Sequence, residues 1–307
     1  MTNAKSPAIH VACGLDEGVL FGAQALAASI ACHARPERPV VLHVLHSGLS
    51  SRIADALAGH QQRSFSLRLH DVGAAFMRLR VKRPFSTAIY YRLYLPSLLQ
   101  SLSRIIYLDA DTVVLRDLAP IFDLPLNDFP LAAMPDYALY YFELMSAIPV
   151  GERRRPVIFY LRNILGIEYR GPASYFNSGV MLLNLDAWRT FDIAARCVAF
   201  IERFDYLQWP DQDALNVICG QRFLALDARW NAFARWCEAP SPLGPSHALT
   251  ALQNDWVHDP WIVHFSGDCK PWKADHFRTV HDLLFWRYLD RANPDAQVLS
   301  SRIKTER

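Results

Sequence analysis

Little in this sequence is in excess, and what it lacks excludes several readings. Among its 307 residues are only 13 glycines, and Ala12–Gly22 is not the glycine-rich phosphate loop that a nucleotidyltransferase on a similar sheet would need near its N-terminus. The formal charge is +2, from 32 Lys and Arg against 30 Asp and Glu, well short of the basic excess of a general nucleic-acid binder. Six cysteines (Cys13, Cys32, Cys197, Cys219, Cys237, Cys269) form no C-x-x-C pair and no zinc-type spacing, and several lie in apolar stretches as small hydrophobes. No stretch reaches the roughly 18 apolar residues of a membrane span, and Met1–Pro7 is polar, without the apolar core of a signal peptide. A reducing, cytoplasmic location is the expectation, with peripheral contact at the inner face of the cell membrane left open.

What is present reads as an alternation of strands and helices. Ile9–Cys13 is a short apolar run ending at Gly14, and Asp16–His33 an Ala-rich helix stopped before Pro36. Val40–His46 is β-branched and apolar, and Ser50–Gln62 follows as a helix capped by Ser50 or Ser51. Ser64–His70 alternates, with Phe65, Leu67 and Leu69 on one face, as in a half-buried strand. Ser86–Leu99 is then a helix and Arg104–Leu108 a buried strand. This order predicts an α/β fold with a mostly parallel sheet and helices on both faces. Leu131–Met134, Val180–Leu185 and Trp261–Phe265 are further strands; Ala187–Phe204 and Asp275–Leu289 are helices. The segment 137–172, rich in aromatics and carrying Arg153–Arg155, reads as a helical insert in a single domain over 1–290, followed by a polar tail over 291–307.

Ligands in such sheets bind beyond the carboxyl ends of strands, which is where Asp109 and Asp111 fall. On an extended segment, side chains two residues apart point the same way, so both carboxylates reach one hard divalent cation. A bare D-x-D is equally a solvated pair in a turn; the apolar lead-in Ile105–Leu108 favours the site. His264, closing a second apolar strand, adds a nitrogen that suits Mn²⁺ better than Mg²⁺. Beyond it, Gly267 permits close backbone approach and Lys270 offers a positive charge to a phosphate. Asp211, Gln212, Asp213 and Asn216 cluster at a helix start, where capping and hydroxyl binding are both open, with Asp213 the more structural. Asn177 and Gly179 precede a buried strand. Arg92, set among Tyr90, Tyr91 and Tyr94, is read either as a surface cation–π pair or as a diphosphate ligand.

Taken together, Ala12–Asp16, Tyr91–Leu93, Tyr107–Asp111, Phe176–Gly179, Asp211–Asp213 and His264–Trp272 resemble, in order and over most of the chain, glycosyltransferase family 8. Within it they are similar to bacterial lipopolysaccharide core glucosyl- and galactosyltransferases. The resemblance implies the GT-A fold and retention at the transferred carbon. The donor would be a UDP-hexose (glucose or galactose), and the acceptor a glycan or glycolipid such as lipopolysaccharide or another surface saccharide. Nucleic acid is not an expected partner. Asp109, Asp111 and His264 would hold Mn²⁺, with Mg²⁺ in its place as an option. Asp16 would meet uracil, and Gly267 and Lys270 the phosphates. Arg92, Asp136, Asn177 and Asp211 would surround the donor sugar, with Gln212 beneath the anomeric carbon and Asp211 beside it as the second catalytic residue. The family often carries a base-stacking aromatic three residues after the base-binding Asp, here Asp16; the position is Val19. A glycogenin-like self-glucosylating protein and a non-catalytic carbohydrate or sugar-nucleotide binder are the competing readings.

A neutral amide oxygen is a poor nucleophile, so Gln212 argues against the covalent route by which a carboxylate acts in retaining glycosidases. Front-face transfer, with a diphosphate oxygen taking the acceptor's proton, is the expectation.

Overall fold

The computed structural model describes residues 7–48, 55, 57, 61–81, 85–139, 148–150, 153–236, 248–267, 270–273 and 279–292. Most of the helix expected over 50–62, the aromatics Tyr140–Phe142, Cys237, Cys269 and the tail beyond Ala292 lie outside them.

β1 (Ile9–Gly14) is followed by α1 (Leu20–His33), β2 (Val40–His46) and β3 (Phe65–Asp71). The three strands pair in parallel, Ile9 opposite Val40 and Val40 opposite Phe65. α1 is Ala-rich because it is covered twice. Ala23, Leu26, Ala27 and Ile30 join the cluster beneath the sheet, while Ala25 and Ala28 pack into a second cluster with Val113, Val263 and Phe285.

The expected helix over 86–99 is instead a 3₁₀ segment, Thr87–Tyr94, passing into the short α2 (Leu95–Leu98) with Pro96 in its first turn. Within the 3₁₀ segment Arg92 Nε donates to the Ile89 carbonyl at 3.0 Å. An α-helix would offer that carbonyl to the backbone four residues on. β4 (Arg104–Leu108), β5 (Thr112–Val114), α3 (Ala119–Phe122) and β6 (Leu131–Pro135) follow. Within the expected insert β7 (Ile148–Val150) pairs antiparallel with β8 (Arg153–Arg155), ahead of α4 (Val157–Asn163).

β9 (Phe176–Asn184) leads into α5 (Leu185–Thr190) and α6 (Ile193–Ile201). The single long helix expected over 187–204 is thus broken. Asp192 sits at φ 54°, a left-handed conformation that short polar side chains tolerate and that no α-helix continues through. α7 (Pro210–Cys219), β10 (Leu224–Ala225), β11 (Ala232–Phe233), α8 (Ala248–His258), β12 (Ile262–His264) and α9 (Val280–Ala292) complete the chain.

Among the described residues the main sheet has seven strands in the order β10-β6-β9-β4-β1-β2-β3, of which only β9 runs antiparallel to its neighbours β4 and β6. A second sheet, β11-β12-β5, is set by the pairing of His264 with Thr112 and Phe233 with His264. Apolar clusters cover both faces of the main sheet, as the alternation of elements predicts. The carboxyl ends of β1, β4, β11 and β12 and the amino end of β9 converge, and the chemistry-bearing residues lie there.

Candidate active site

β4 ends at Leu108, and the chain turns through Asp109-Ala110-Asp111 into β5. Two hydrogen bonds fix the turn: Asp109 N–H donates to the Gly179 carbonyl (2.8 Å), and Thr112 Oγ1 donates to the Asp109 carbonyl (2.8 Å). On the neighbouring sheet His264 faces both acids, its Nε2 lying 3.4 Å from Asp111 Oδ1 and 3.8 Å from Asp109 Oδ2. One ligand atom from each of the three residues falls within 4.8 Å of the others, a spacing that a single ion can satisfy. Gly179 leaves the room for it. A Cβ there would lie 2.3 Å from His264 Cε1 and 3.0 Å from Asp109 Oδ2. Two carboxylates, a buried imidazole and a cradle that a methyl would fill fit a hard or borderline divalent cation.

The imidazole is held in the matching tautomer by a residue that the sequence reading missed. His264 Nδ1 lies 2.9 Å from Asn231 Oδ1, and Asn231 Nδ2 donates to Asn177 Oδ1 at 2.9 Å. The second bond settles which end of the Asn231 amide faces the ring. With Asn231 Oδ1 as the acceptor Nδ1 donates, which leaves Nε2 as the ring nitrogen that faces the acids. Asn231 closes a 3₁₀ turn with no motif around it, so only the fold reveals it.

Lys270 Nζ pairs with Asp111 Oδ2 and donates to the Phe265 carbonyl at 2.8 Å. Burial of Asp111 works to raise its carboxyl, but Lys270 and His264 overcome this and hold it well below the usual carboxylate range. Gly267, at φ 79°, takes the left-handed turn between His264 and Lys270 that a side chain would strain.

Arg92 is not at the surface; it is 2 % exposed and lies between two acids. Its Nη2 donates to Asp109 Oδ1 (2.6 Å), its Nη1 to the Ser178 carbonyl (2.7 Å), and Asp211 Oδ2 is 3.1 Å from Nη1. The guanidinium stacks 4.1 Å above the Tyr107 ring. Burial alone would lower its pKa, but Asp211, Tyr107 and Asp109 together push it up, so the cation is permanent.

Gln212 is held at both ends of its amide: its Oε1 accepts from Ser178 N (2.9 Å) and its Nε2 donates to Asp136 Oδ2 (2.9 Å). Asn177 Nδ2 reaches the same Asp136 oxygen at 3.2 Å. Burial raises the carboxyls of Asp136 and Asp211; for Asp136 these amides oppose the rise, for Asp211 the Arg92 cation does. Asp213 turns away into the core, where Tyr160 Oη (2.6 Å), Tyr175 Oη (2.5 Å) and Trp209 N (3.0 Å) donate to it. Burial nevertheless carries its pKa up to about 7.

Asp16 stands at the end of β1. Its Oδ1 accepts from Gly18 N at 2.7 Å and its Oδ2 from Ser86 Oγ, so it caps a 3₁₀ turn, Glu17–Val19. Every site residue expected from the sequence is among the described residues. Hydrogen bonds or ion pairs link Arg92, Asp109, Asp111, His264, Lys270, Asn177, Asp136, Asp211 and Gln212 into one network through Ser178 and Asn231. Asp16 and Gly267 flank it.

Residues 10–276 match the family model described as glycosyl transferase family 8. General stress protein A of Bacillus subtilis (strain 168) is 31 % identical over 207 residues, covering 64 % of this chain and 63 % of that protein. Lipopolysaccharide 1,2-glucosyltransferase of Escherichia coli (strain K12) is 25 % identical over 281 residues, covering 87 % and 73 %. Among solved structures, the WbbM bifunctional glycosyltransferase in its apo form superposes with a TM-score of 0.82 at 22 % identity, over 98 % of this chain but 52 % of that one. The galactosyltransferase LgtC, in complex with donor and acceptor sugar analogues, gives 0.73 at 23 % identity, over 96 % and 100 %. These likenesses establish the GT-A architecture. No helix among the described residues is long and apolar enough to cross a membrane.

Proposed function

The chain belongs to glycosyl transferase family 8, and from that membership we propose that it is a retaining hexosyltransferase. It moves glucose or galactose from a UDP-hexose to a hydroxyl of a glycan or glycolipid acceptor, such as lipopolysaccharide, with Mn²⁺. The observation that carries this reading is the Asp109–Asp111–His264 group with Lys270 beside it, all at strand ends. The similarity to a lipopolysaccharide glucosyltransferase supports the acceptor class. A cytoplasmic reaction at the inner membrane face accords with the exposed Arg153 and Arg154 of β8.

Asp109, Asp111 and His264 are the residues that would hold the ion. When bound, it supplies positive charge where the diphosphate becomes a leaving group. Lys270 is the mobile counterpart: its ammonium, resting on Asp111 and the Phe265 carbonyl, turns to the phosphates when they arrive. Gly267 presents backbone to the same group, and Asp16 takes the uracil N–H. Arg92, Asp136, Asn177 and Asp211 surround the donor hexose. Arg92 faces Asp211 at 3.1 Å and opposes the rise that burial imposes on its carboxyl, which places an acid where cationic character at the reacting carbon would be stabilised. Gln212 serves the same end of the sugar. With its oxygen accepting from Ser178 N and its nitrogen donating to Asp136, it is a fixed dipole and not a free nucleophile. The acceptor hydroxyl then attacks from the face that the leaving group vacates, and its proton passes to a diphosphate oxygen.

A panel of UDP-sugars with Mn²⁺, scored for UDP release and for the anomeric configuration of the product, tests this. Release from UDP-glucose or UDP-galactose with retention is expected. Hexose on a tyrosine of the protein itself would indicate self-glucosylation, and no release from a folded protein would refute the reading. A sugar adduct trapped on native Gln212 would overturn front-face transfer.

A further inference from the structure

Three separate pieces of the site meet at Gly22 and Trp272, and neither residue has a role in the chemistry above. Trp272 lies in a 3₁₀ turn, Pro271–Lys273, that begins immediately after Lys270 and is closed by Lys273 N donating to the Lys270 carbonyl at 3.1 Å. Its indole crosses to the other end of the chain. Nε1 donates to the Gly18 carbonyl at 3.2 Å, inside the turn that Asp16 caps. The ring is backed by Phe285 of α9, with centroids 5.3 Å apart and planes inclined by 30°. Its far edge rests on α1: a Cβ at Gly22 would lie 3.0 Å from Trp272 Cη2. The same Cβ would lie 2.5 Å from the carbonyl of Ala110, the residue between the two metal-facing acids. The missing side chain at Gly22 is therefore what lets the first turn of α1, the Asp109–Asp111 turn and the indole come into contact.

We propose that Trp272 is a positioning residue that clamps the Asp16 turn to the Lys270 loop, so that the base end and the diphosphate end of the nucleotide are gripped by one rigid unit. This rests on the assignment of Asp16 to uracil and of Lys270 to phosphate. Trp272 touches neither. It acts by fixing the separation of the two groups that do, and so lowers the ordering cost of binding a ligand that must satisfy both.

Trp272→Phe keeps a ring against Phe285 but removes the donor to Gly18 and the far edge of the indole that rests on Gly22. UDP and inorganic pyrophosphate, each with Mn²⁺, are titrated into native and W272F protein by calorimetry, because pyrophosphate engages the phosphate end alone. UDP binding is expected to weaken about threefold to tenfold, the loss of roughly one neutral hydrogen bond, with pyrophosphate binding within twofold of native. Equal weakening of both ligands, or of neither, overturns the proposal. Amide hydrogen exchange on the ligand-free proteins tests the clamp independently of the assigned function. Faster exchange over residues 16–22, with β4 unchanged, is expected in W272F. Native exchange over 16–22 overturns the clamp even if UDP is not a ligand, whereas failure of the native protein to bind UDP refutes the functional assignment instead.

Discussion

Gly179→Ala tests the cation site through a single methyl group. The added Cβ would stand 2.3 Å from His264 Cε1, 2.8 Å from its Nδ1 and 3.0 Å from Asp109 Oδ2. Unbonded carbons settle at about 3.5–4.0 Å, so the imidazole and the strand must separate by more than about 1 Å. The strand is poorly placed to yield. The Gly179 carbonyl accepts from Asp109 N at 2.8 Å, its N–H donates to Asn177 Oδ1 at 3.0 Å, and the next residue, Val180, is paired with Leu108 in the sheet interior. The imidazole must swing instead, although metal–ligand distances tolerate only about 0.2 Å. Overpacking of this kind costs about 1–3 kcal/mol. If the cost falls on the His264 position, Mn²⁺ affinity drops by about 5- to 150-fold, at 1.4 kcal/mol per decade. Calorimetric titration of Mn²⁺ in the presence of excess UDP measures this, with thermal unfolding as the control for the fold. In a His264→Ala background the methyl meets no ring, so Gly179→Ala should there cost almost nothing further, a large departure from additivity. Native Mn²⁺ affinity in Gly179→Ala, or an equal loss in both backgrounds, would refute the reasoning.

Asn231→Ala removes the acceptor that fixes the His264 tautomer; Mn²⁺ affinity should fall about 10- to 100-fold, and calorimetry giving less than a threefold change would count against the tautomer lock. Arg92→Met leaves the Asp109 and Asp211 carboxylates without their shared partner and should cost about 3–5 kcal/mol of stability by urea unfolding; a loss below about 1 kcal/mol would show that the pairing is weak. Asp213 binds its proton more tightly in the folded chain, where its pKa is about 7, than at its ordinary value of 3.8. Its contribution therefore favours the fold at low pH and fades as the pH rises from about 4 through about 7. From pH 5 to pH 8 the native protein should lose about 2–3 kcal/mol relative to Asp213→Asn, and parallel unfolding midpoints for the two would contradict that.

How much of this was legible in the sequence depended on whether the determinants were local. The strands β1, β2 and β4 were readable because each is a run of apolar residues, and the Asp109/Asp111 pair because a two-residue spacing on extended chain has one geometric outcome. The segment expected as a helix over 86–99 is helical but mostly 3₁₀, and what its apolar pattern does not show is that Arg92 turns inward to two acids further along the chain, a tertiary arrangement. For the same reason the sequence left Arg92 open between a surface cation–π pair and a diphosphate ligand, whereas it is a cation–π pair with Tyr107 that is among the most buried charges of the described residues. The break at Asp192 was a weaker local signal, since a short polar residue permits a left-handed turn without demanding one. Asn231 was invisible, because an asparagine in a short turn becomes informative only once His264 and Asn177 are seen on either side of it.

The antiparallel placement of β9 has a consequence for how the molecule is made. In the finished sheet β9 fills the gap between β4 and β6, yet it is translated after both. As the chain leaves the ribosome, β1 to β4 can assemble while the β4 edge, Ile105–Leu108, stays without its neighbour until residues 176–184 emerge. Such an apolar open edge invites wrong pairing. The Asp109 turn is in the same position, because its N–H waits for the Gly179 carbonyl and its carboxylates wait for His264 on a strand later still. The Asp109–Asp111–His264 group is therefore among the last parts of the protein to form, and nascent chains that stop short of β12 carry the acids without the histidine that completes the group.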